Sequence, residues 1–211
     1  TIIFQNRSGN TPVVEIAADS FCNSSTEEAI LTEGIVCIGR NAFSGCDKLH
    51  QVVLPISIEE IDDYAFENCG NLKSVSLPGA LKTIGNEAFK GTGLRTIAIP
   101  ESVFWIGNGV VADCQLLEHV TIPSNMDKIP EHMFEGCINL KKVELHERLN
   151  EIGERAFFGC SSLDFIVIPD SVKKIGKNAF TNTDKQFIMQ CSFGSYAEEY
   201  ARKNKFKYQL V

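Results

Sequence analysis

The residues of this 211-residue chain best suited to chemistry are its eight cysteines, four histidines and 27 acidic side chains, and their spacing decides what they can do. Cys46, Cys69, Cys114, Cys137 and Cys160 recur at near-constant intervals, and Thr92 and Thr183 fill the same slot elsewhere. Such a file of small residues suits a buried column of free thiols. Equivalent thiols about 4.8 Å apart stand slightly too far for a disulfide, and a linear file cannot surround zinc tetrahedrally. Cys22, Cys37 and Cys191 lie off the file; Cys22 and Cys37 could pair across the first turn. His50, His119, His132 and His146 share no metal-ligand spacing, so no metal site is expected. The chain has no Gly-rich phosphate loop, nucleophile elbow or zinc-protease motif. The acidic residues fall in solvent-facing slots, so neither catalytic residues nor a cofactor is expected.

The regularity that spaces the cysteines runs through the whole chain. Phe21, Phe43, Phe66, Phe89, Val111, Phe134, Phe157 and Phe180 follow one another at 22 or 23 residues. Ile stands five residues before each, from Ile16 to Ile175. A Leu follows at Leu49, Leu72, Leu94, Leu117, Leu140 and Leu163, with Leu94 one position early. Three and five residues beyond it lie two more apolar positions, such as Val52 and Leu54, and then, in five of six copies, Pro. Leu-x-x-Val-x-Leu places its last two apolar residues on one face of a short strand, and the Pro ends that strand because it cannot donate to a ladder. The Ile and the Ala-Phe pair belong to a return path, expected to be a short turn or a short helical or 3₁₀ segment.

Each copy is thus one coil of an α/β repeat solenoid, a right-handed leucine-rich-repeat superhelix with a parallel β-ladder. The whole of 1–211 is expected to be a single domain, with a degenerate, frayed N-terminal segment at 1–13, repeats over 14–185 and a C-terminal cap over 186–211. In the cap, Gln186–Cys191 reads as a last strand. Ser195-Tyr-Ala-Glu198 is a capping box that starts a short helix ending at Lys203-Asn204, and Phe206–Tyr208 could add a final strand.

The repeat Ile166-Val-Ile-Pro-Asp-Ser-Val-Lys-Lys-Ile-Gly-Lys-Asn-Ala-Phe180 resembles those of the BspA-like, treponemal-type leucine-rich-repeat family. The tail Gly194-Ser-Tyr-Ala-Glu-Glu-Tyr-Ala-Arg-Lys-Asn204 is similar to that family's C-terminal cap, so the resemblance covers residues 14 to 208. It implies adhesion or recognition of a protein or ligand at a cell surface or after secretion, without catalysis. No signal peptide is visible, and a start at Thr1 suggests a processed or trimmed piece. The net charge of −7 argues against nucleic acid as a partner, and no apolar run is long enough to insert in a membrane.

Two surfaces are candidates for binding. The first is the concave strand face, made of the residues between the inward positions: Gln51 and Val53, Ser74 and Ser76, Thr96 and Ala98, His119 and Thr121, Lys142 and Glu144, Phe165 and Val167. Phe165 is either an exposed apolar contact or covered by the cap or a loop. The second is Phe104-Trp105, where the equivalent pairs Glu59-Glu60, Lys82-Thr83, Asp127-Lys128, Asn150-Glu151 and Lys173-Lys174 are polar. This pair either folds inward to fill the space left by Val111 or forms an exposed aromatic patch. The competing functions are a structural spacer in a larger surface protein and a hydrolase acting on glycans or peptides.

Overall fold

The computed structural model describes residues 1–4 and 14–211 in full, and residues 7–8 and 11–12 as backbone alone. Each repeat closes one coil of a parallel β-solenoid, and the coils are joined on three sides. The first side is the Leu-x-x-Val-x-Leu segment. Gln51–Val53, Thr96–Ala98, His119–Thr121 and Phe165–Val167 each bury the central residue and expose the two flanking it, as a period of two requires. Pairing is parallel and in register, Thr96 beside His119 and Ile97 beside Val120.

This ladder is not continuous, contrary to the expectation of one strand per coil. It runs as three separate groups of three strands. Ser74–Ser76 takes no strand conformation, and its central Val75 and the following Leu77 are only half-buried. The coil from Leu72 to Leu94 is one residue short, and the bond from Arg95 N–H to Lys73 O is 3.3 Å long. The second interruption lies between Lys142–Val143 and Phe165–Val167.

The second side corrects another expectation. The return path holds no helix or 3₁₀ run among the described coil residues. The recurrent Ile instead sits in a two-residue strand, from Glu15–Ile16 and Cys37–Ile38 through Lys174–Ile175. The third side, around the Phe, is a chain of turns. Two residues per coil take the left-handed conformation there, for example Asn41 and Gly45, or Arg155 and Gly159. A left-handed residue every four positions breaks any right-handed helix. It also aims N–H groups at the next coil: Asn41, Phe43 and Gly45 donate to Asp63, Ala65 and Glu67 at 3.0, 2.8 and 2.7 Å.

Inside, like residues form files. The rings of Phe21, Phe43, Phe66 and Phe89 stack at 5.3–5.4 Å, and those of Phe134, Phe157 and Phe180 at 5.1 Å. Val111 interrupts the stack, and the preceding file compensates. It carries Ala at 42, 65, 88, 156 and 179 but Val110 and Met133 beside the gap, all fully buried. The interior thus keeps its volume without recruiting Phe104 or Trp105. The cysteine file is likewise internal: Cys46, Cys69, Cys114, Cys137 and Cys160 each donate through Sγ to the carbonyl of the marker residue one coil back, at 3.0–3.1 Å. All eight cysteines are free thiols, Cys22 and Cys37 included.

Both ends of the Phe file are closed by rings set edge-on. Phe4 meets Phe21 at 5.0 Å, and Tyr200 and Phe206 each meet Phe180 at 6.4 Å. Ile2–Phe4 pairs with Ala29–Leu31, so the N-terminal segment does supply a first strand; the expectation of fraying over 1–13 extends outside the described residues. At the other end Ile188–Cys191 pairs with Lys207–Leu210, and the helix Tyr196–Asn204 packs Ala197 and Ala201 inward. Its capping box is half-formed. Ser195 Oγ accepts the Glu198 N–H at 3.2 Å, while the Glu198 carboxylate accepts from Gly194 at 2.7 Å rather than from Ser195.

Candidate functional site

The strand face places all twelve residues read from the sequence at the surface. Thr96, His119 and Lys142 stand side by side in register, as do Ala98 and Thr121. His119, Thr121, Lys142, Glu144 and His146 line a shallow hollow of about 220 Å³. Lys142 Nζ lies 2.6 Å from Glu144 Oε1, and that ammonium holds the Glu144 carboxyl below the usual carboxylate range. Phe165 remains 41% exposed, so neither cap nor loop covers it. It stands beside half-buried Ile188, with exposed Val167 next to Gln190. Gln51 and Val53 form a separate patch beside Glu28 and Ile30, and Ser74 and Ser76 lie outside any strand.

The second surface is built by a fault in the second ladder. At six of its seven coil junctions the same three backbone bonds recur. At one, for example, Lys82 and Thr83 both donate to Glu59 O and Gly85 donates to Ile61 O, at 2.8, 3.2 and 2.7 Å. Between Phe104–Ile106 and Asp127–Ile129 none of the three is made, and the ladder divides into a group of five strands and a group of three.

The residue types explain the fault. The position after the recurrent Ile is Gly39, Asp62, Gly85, Gly107, Pro130, Gly153 and Gly176 in successive coils. Glycine permits coil to lie on coil here: a Cβ at Gly153 would stand 2.6 Å from Glu131 N. Asp62 shows that a side chain alone is tolerated, since its N–H still donates to Ile38 O at 2.9 Å. Pro130 differs in having no N–H, and its ring carbon occupies the place of the missing hydrogen. Buried Pro130 therefore holds its coil away from Ile106 O.

The stand-off opens a cleft of about 430 Å³ walled by Phe104, Trp105, Ile106, Met126 and Pro130, with Asn108 and Asp127 at its polar edge. Ile106 is the one member of the Ile file from Ile16 to Ile175 that is not buried. Phe104 is 73% and Trp105 47% exposed, so the inward-folding alternative is excluded. The frame around the cleft stays closed. Ile97 still pairs with Val120 on the first side, and Gly109 donates to Glu131 O at 2.9 Å on the third. Sequence reasoning found Phe104 and Trp105 but missed Ile106, Met126 and Pro130; the interrupted glycine column was the signal that pointed to them.

Among the described residues no three His, Cys, Asp or Glu side chains converge as metal ligands, and no helix is long and apolar enough to cross a membrane. Three acidic side chains are paired with lysines of the next coil, Glu59 with Lys82, Glu118 with Lys141 and Glu151 with Lys174, at 2.5–3.0 Å.

Residues 14–85 and 59–187 match the family model of the BspA type leucine rich repeat region, in six copies. No functionally curated protein matches the chain. Among solved structures, a leucine-rich repeat protein from Bacteroides ovatus is 28% identical with a TM-score of 0.84, over 99% of this chain and 59% of that one. The leucine rich repeat protein of T. pallidum is 26% identical with a TM-score of 0.70, over 99% of this chain and 84% of that one. A leucine rich cell surface protein from Faecalibacterium prausnitzii is 25% identical with a TM-score of 0.57, over 88% and 65%. The chain thus spans about three-fifths of the length of the Bacteroides ovatus structure.

Proposed function

The chain belongs to the BspA type leucine-rich-repeat family, and from that premise we propose that it is a non-enzymatic recognition domain acting as one unit at a cell surface. It binds through two rigid surfaces, the outward strand face and the cleft under Phe104–Trp105. One observation carries this reading: the unpaired junction of the second ladder coincides with the coil that exposes two aromatic rings. Aromatic area on a rigid frame is where binding energy concentrates, and a preformed surface loses little entropy on association. The pairing of Glu59, Glu118 and Glu151 with lysines of neighbouring coils, and the lack of converging carboxylates among the described residues, support the reading as a binder rather than a hydrolase. The printed description of the Faecalibacterium prausnitzii protein as a cell surface protein supports the location.

The test is an array of glycans and extracellular proteins screened with the intact chain and two variants, Phe104→Ser/Trp105→Ser and Phe165→Glu/Thr121→Glu. At least one arrayed molecule should bind. One of the two variants should weaken it by about tenfold or more, as loss of an interface anchor does, with melting temperature changed by only a few degrees. Binding that neither variant disturbs would remove both surfaces from the account.

A further inference from the structure

We propose that the Phe104–Trp105 cleft binds a short extended peptide, which takes the place of the missing rung between two coils. This rests on the recognition reading above and names the ligand class at one of its surfaces. The first argument is the chemistry of the two edges. On one coil the carbonyls of Phe104 and Ile106 lack the donors that their equivalents Lys82 and Ile84 receive from Phe104, Trp105 and Gly107. On the next coil the amides of Asp127 and Lys128 lack the acceptor that Asn150 and Glu151 find in Asp127 O. Acceptors thus line one wall and donors the other. An extended peptide presents N–H and C=O groups along both edges, so one strand can donate to the first wall and accept from the second.

The second argument is the lining. Sugar hydroxyls also donate and accept, but most of the side-chain groups suited to a sugar are already engaged, the Asp127 carboxylate excepted. Asn125 Nδ2 donates to Glu101 O at 3.1 Å, Asn108 Oδ1 accepts from Glu131 N at 3.2 Å, and Lys128 Nζ lies 3.1 Å from Glu151. The remaining wall includes aliphatic Val103, Ile106 and Met126 beside the two rings, which suits apolar side chains better than hydroxyls. The third argument is size and rigidity. A volume of about 430 Å³ encloses only a short segment, at the low end of ligand sites, which span roughly 300–1,000 Å³. The two closed sides of the same junction hold the slot open before a ligand arrives.

Trp105 is the chain's single tryptophan, so its fluorescence reports on this cleft directly. A phage-displayed library of random heptapeptides is panned on the intact protein, with the Pro130→Gly variant as counter-selection. Enriched peptides are resynthesised with capped ends, and again with N-methyl groups on each alternate set of amides. The expected result is a saturable shift in Trp105 emission, weakened at least tenfold by one of the two methylation sets and by Pro130→Gly. Should Pro130→Gly fail to fold, Phe104→Ser/Trp105→Ser replaces it, with binding read by calorimetry. No enrichment over the counter-selecting variant, or affinity indifferent to both methylation sets, overturns the peptide rung. A shift produced by chito-oligosaccharides and not by any peptide does the same. A binder indifferent to methylation but lost in Phe104→Ser/Trp105→Ser leaves the recognition surface standing and removes only the peptide.

Discussion

The carbonyl of Phe104 receives no bond from the amide of Asp127, although at the junctions on either side the equivalent bonds, Phe104 to Lys82 and Asn150 to Asp127, are 3.1 and 2.7 Å long. One residue, Pro130, is enough to separate two coils on one side while the other two sides stay bonded. A repeat built for uniform stacking thereby acquires one place unlike the rest, with two aromatic rings at its lip.

Val111 and Met133 are predicted to be coupled. Val111→Phe alone overfills a core whose preceding file is already enlarged, and should cost about 1–3 kcal/mol. Val111→Phe with Met133→Ala leaves Val110 as the one departure from the residue types of the other coils and should recover most of that loss. Chemical denaturation of the two single variants and the double variant gives the interaction energy. Simple additivity would mean that the two files do not share the same space.

Thiol accessibility follows from the cysteine file. Six of the eight cysteines are buried, and Cys22 and Cys37 are partly exposed. Burial, together with the nearby Glu60, Glu15 and Asp62, pushes the Cys37 thiol up to about 12, which leaves little thiolate at pH 8. Burial raises the Cys114 thiol to about 11. A thiol-reactive dye applied to the folded protein at pH 8 should label Cys22 first and Cys37 slowly. The other six should react only on unfolding. Fast labelling of Cys114 or Cys137 without unfolding would contradict the internal file.

Acid sensitivity has a named contributor in Glu135. Arg155 donates to its carboxylate through Nε at 3.0 Å and through a second guanidinium nitrogen, and His132 Nδ1 lies 2.5 Å away. The Arg155 hydrogen bonds hold the Glu135 carboxyl below the usual carboxylate range, outweighing its burial. A depressed folded value means stability that is present above the ordinary carboxylate value of about 4.3 and lost as pH falls through the lower, folded one. Glu135→Gln should therefore be less stable at pH 7 and approach the parent protein as pH drops below about 4. Melting curves from pH 7 to 2 measure this, and a constant gap between the two proteins would refute it.

The files were legible because a 23-residue period repeats the same residue in the same slot. Phe43, Cys46, Leu49 and Val52 therefore announce an inward direction by their spacing alone. Three features were not legible, for physical reasons. The left-handed residues that replace a helical return path include Tyr64, Glu87, His132 and Arg155, which carry no glycine signature. The failed strand at Ser74–Ser76 carries the same Leu-x-x-Val-x-Leu pattern as the copies that do pair, so the pattern does not display it. The cleft depends on a missing hydrogen at Pro130, while the eye is drawn to the rings at Phe104 and Trp105 that the proline exposes. Deciding whether those rings filled the space at Val111 required knowing that Val110 and Met133 already did.

The open junction itself is tested most directly by amide hydrogen exchange. Measured residue by residue on the folded protein, the amides of Asp127 and Lys128 should exchange at least tenfold faster than those of Asn150 and Glu151, which occupy the same slots one coil on and are bonded to Asp127 O. Equal protection at the two junctions would mean that the ladder is closed at Pro130 and that the binding cleft does not exist.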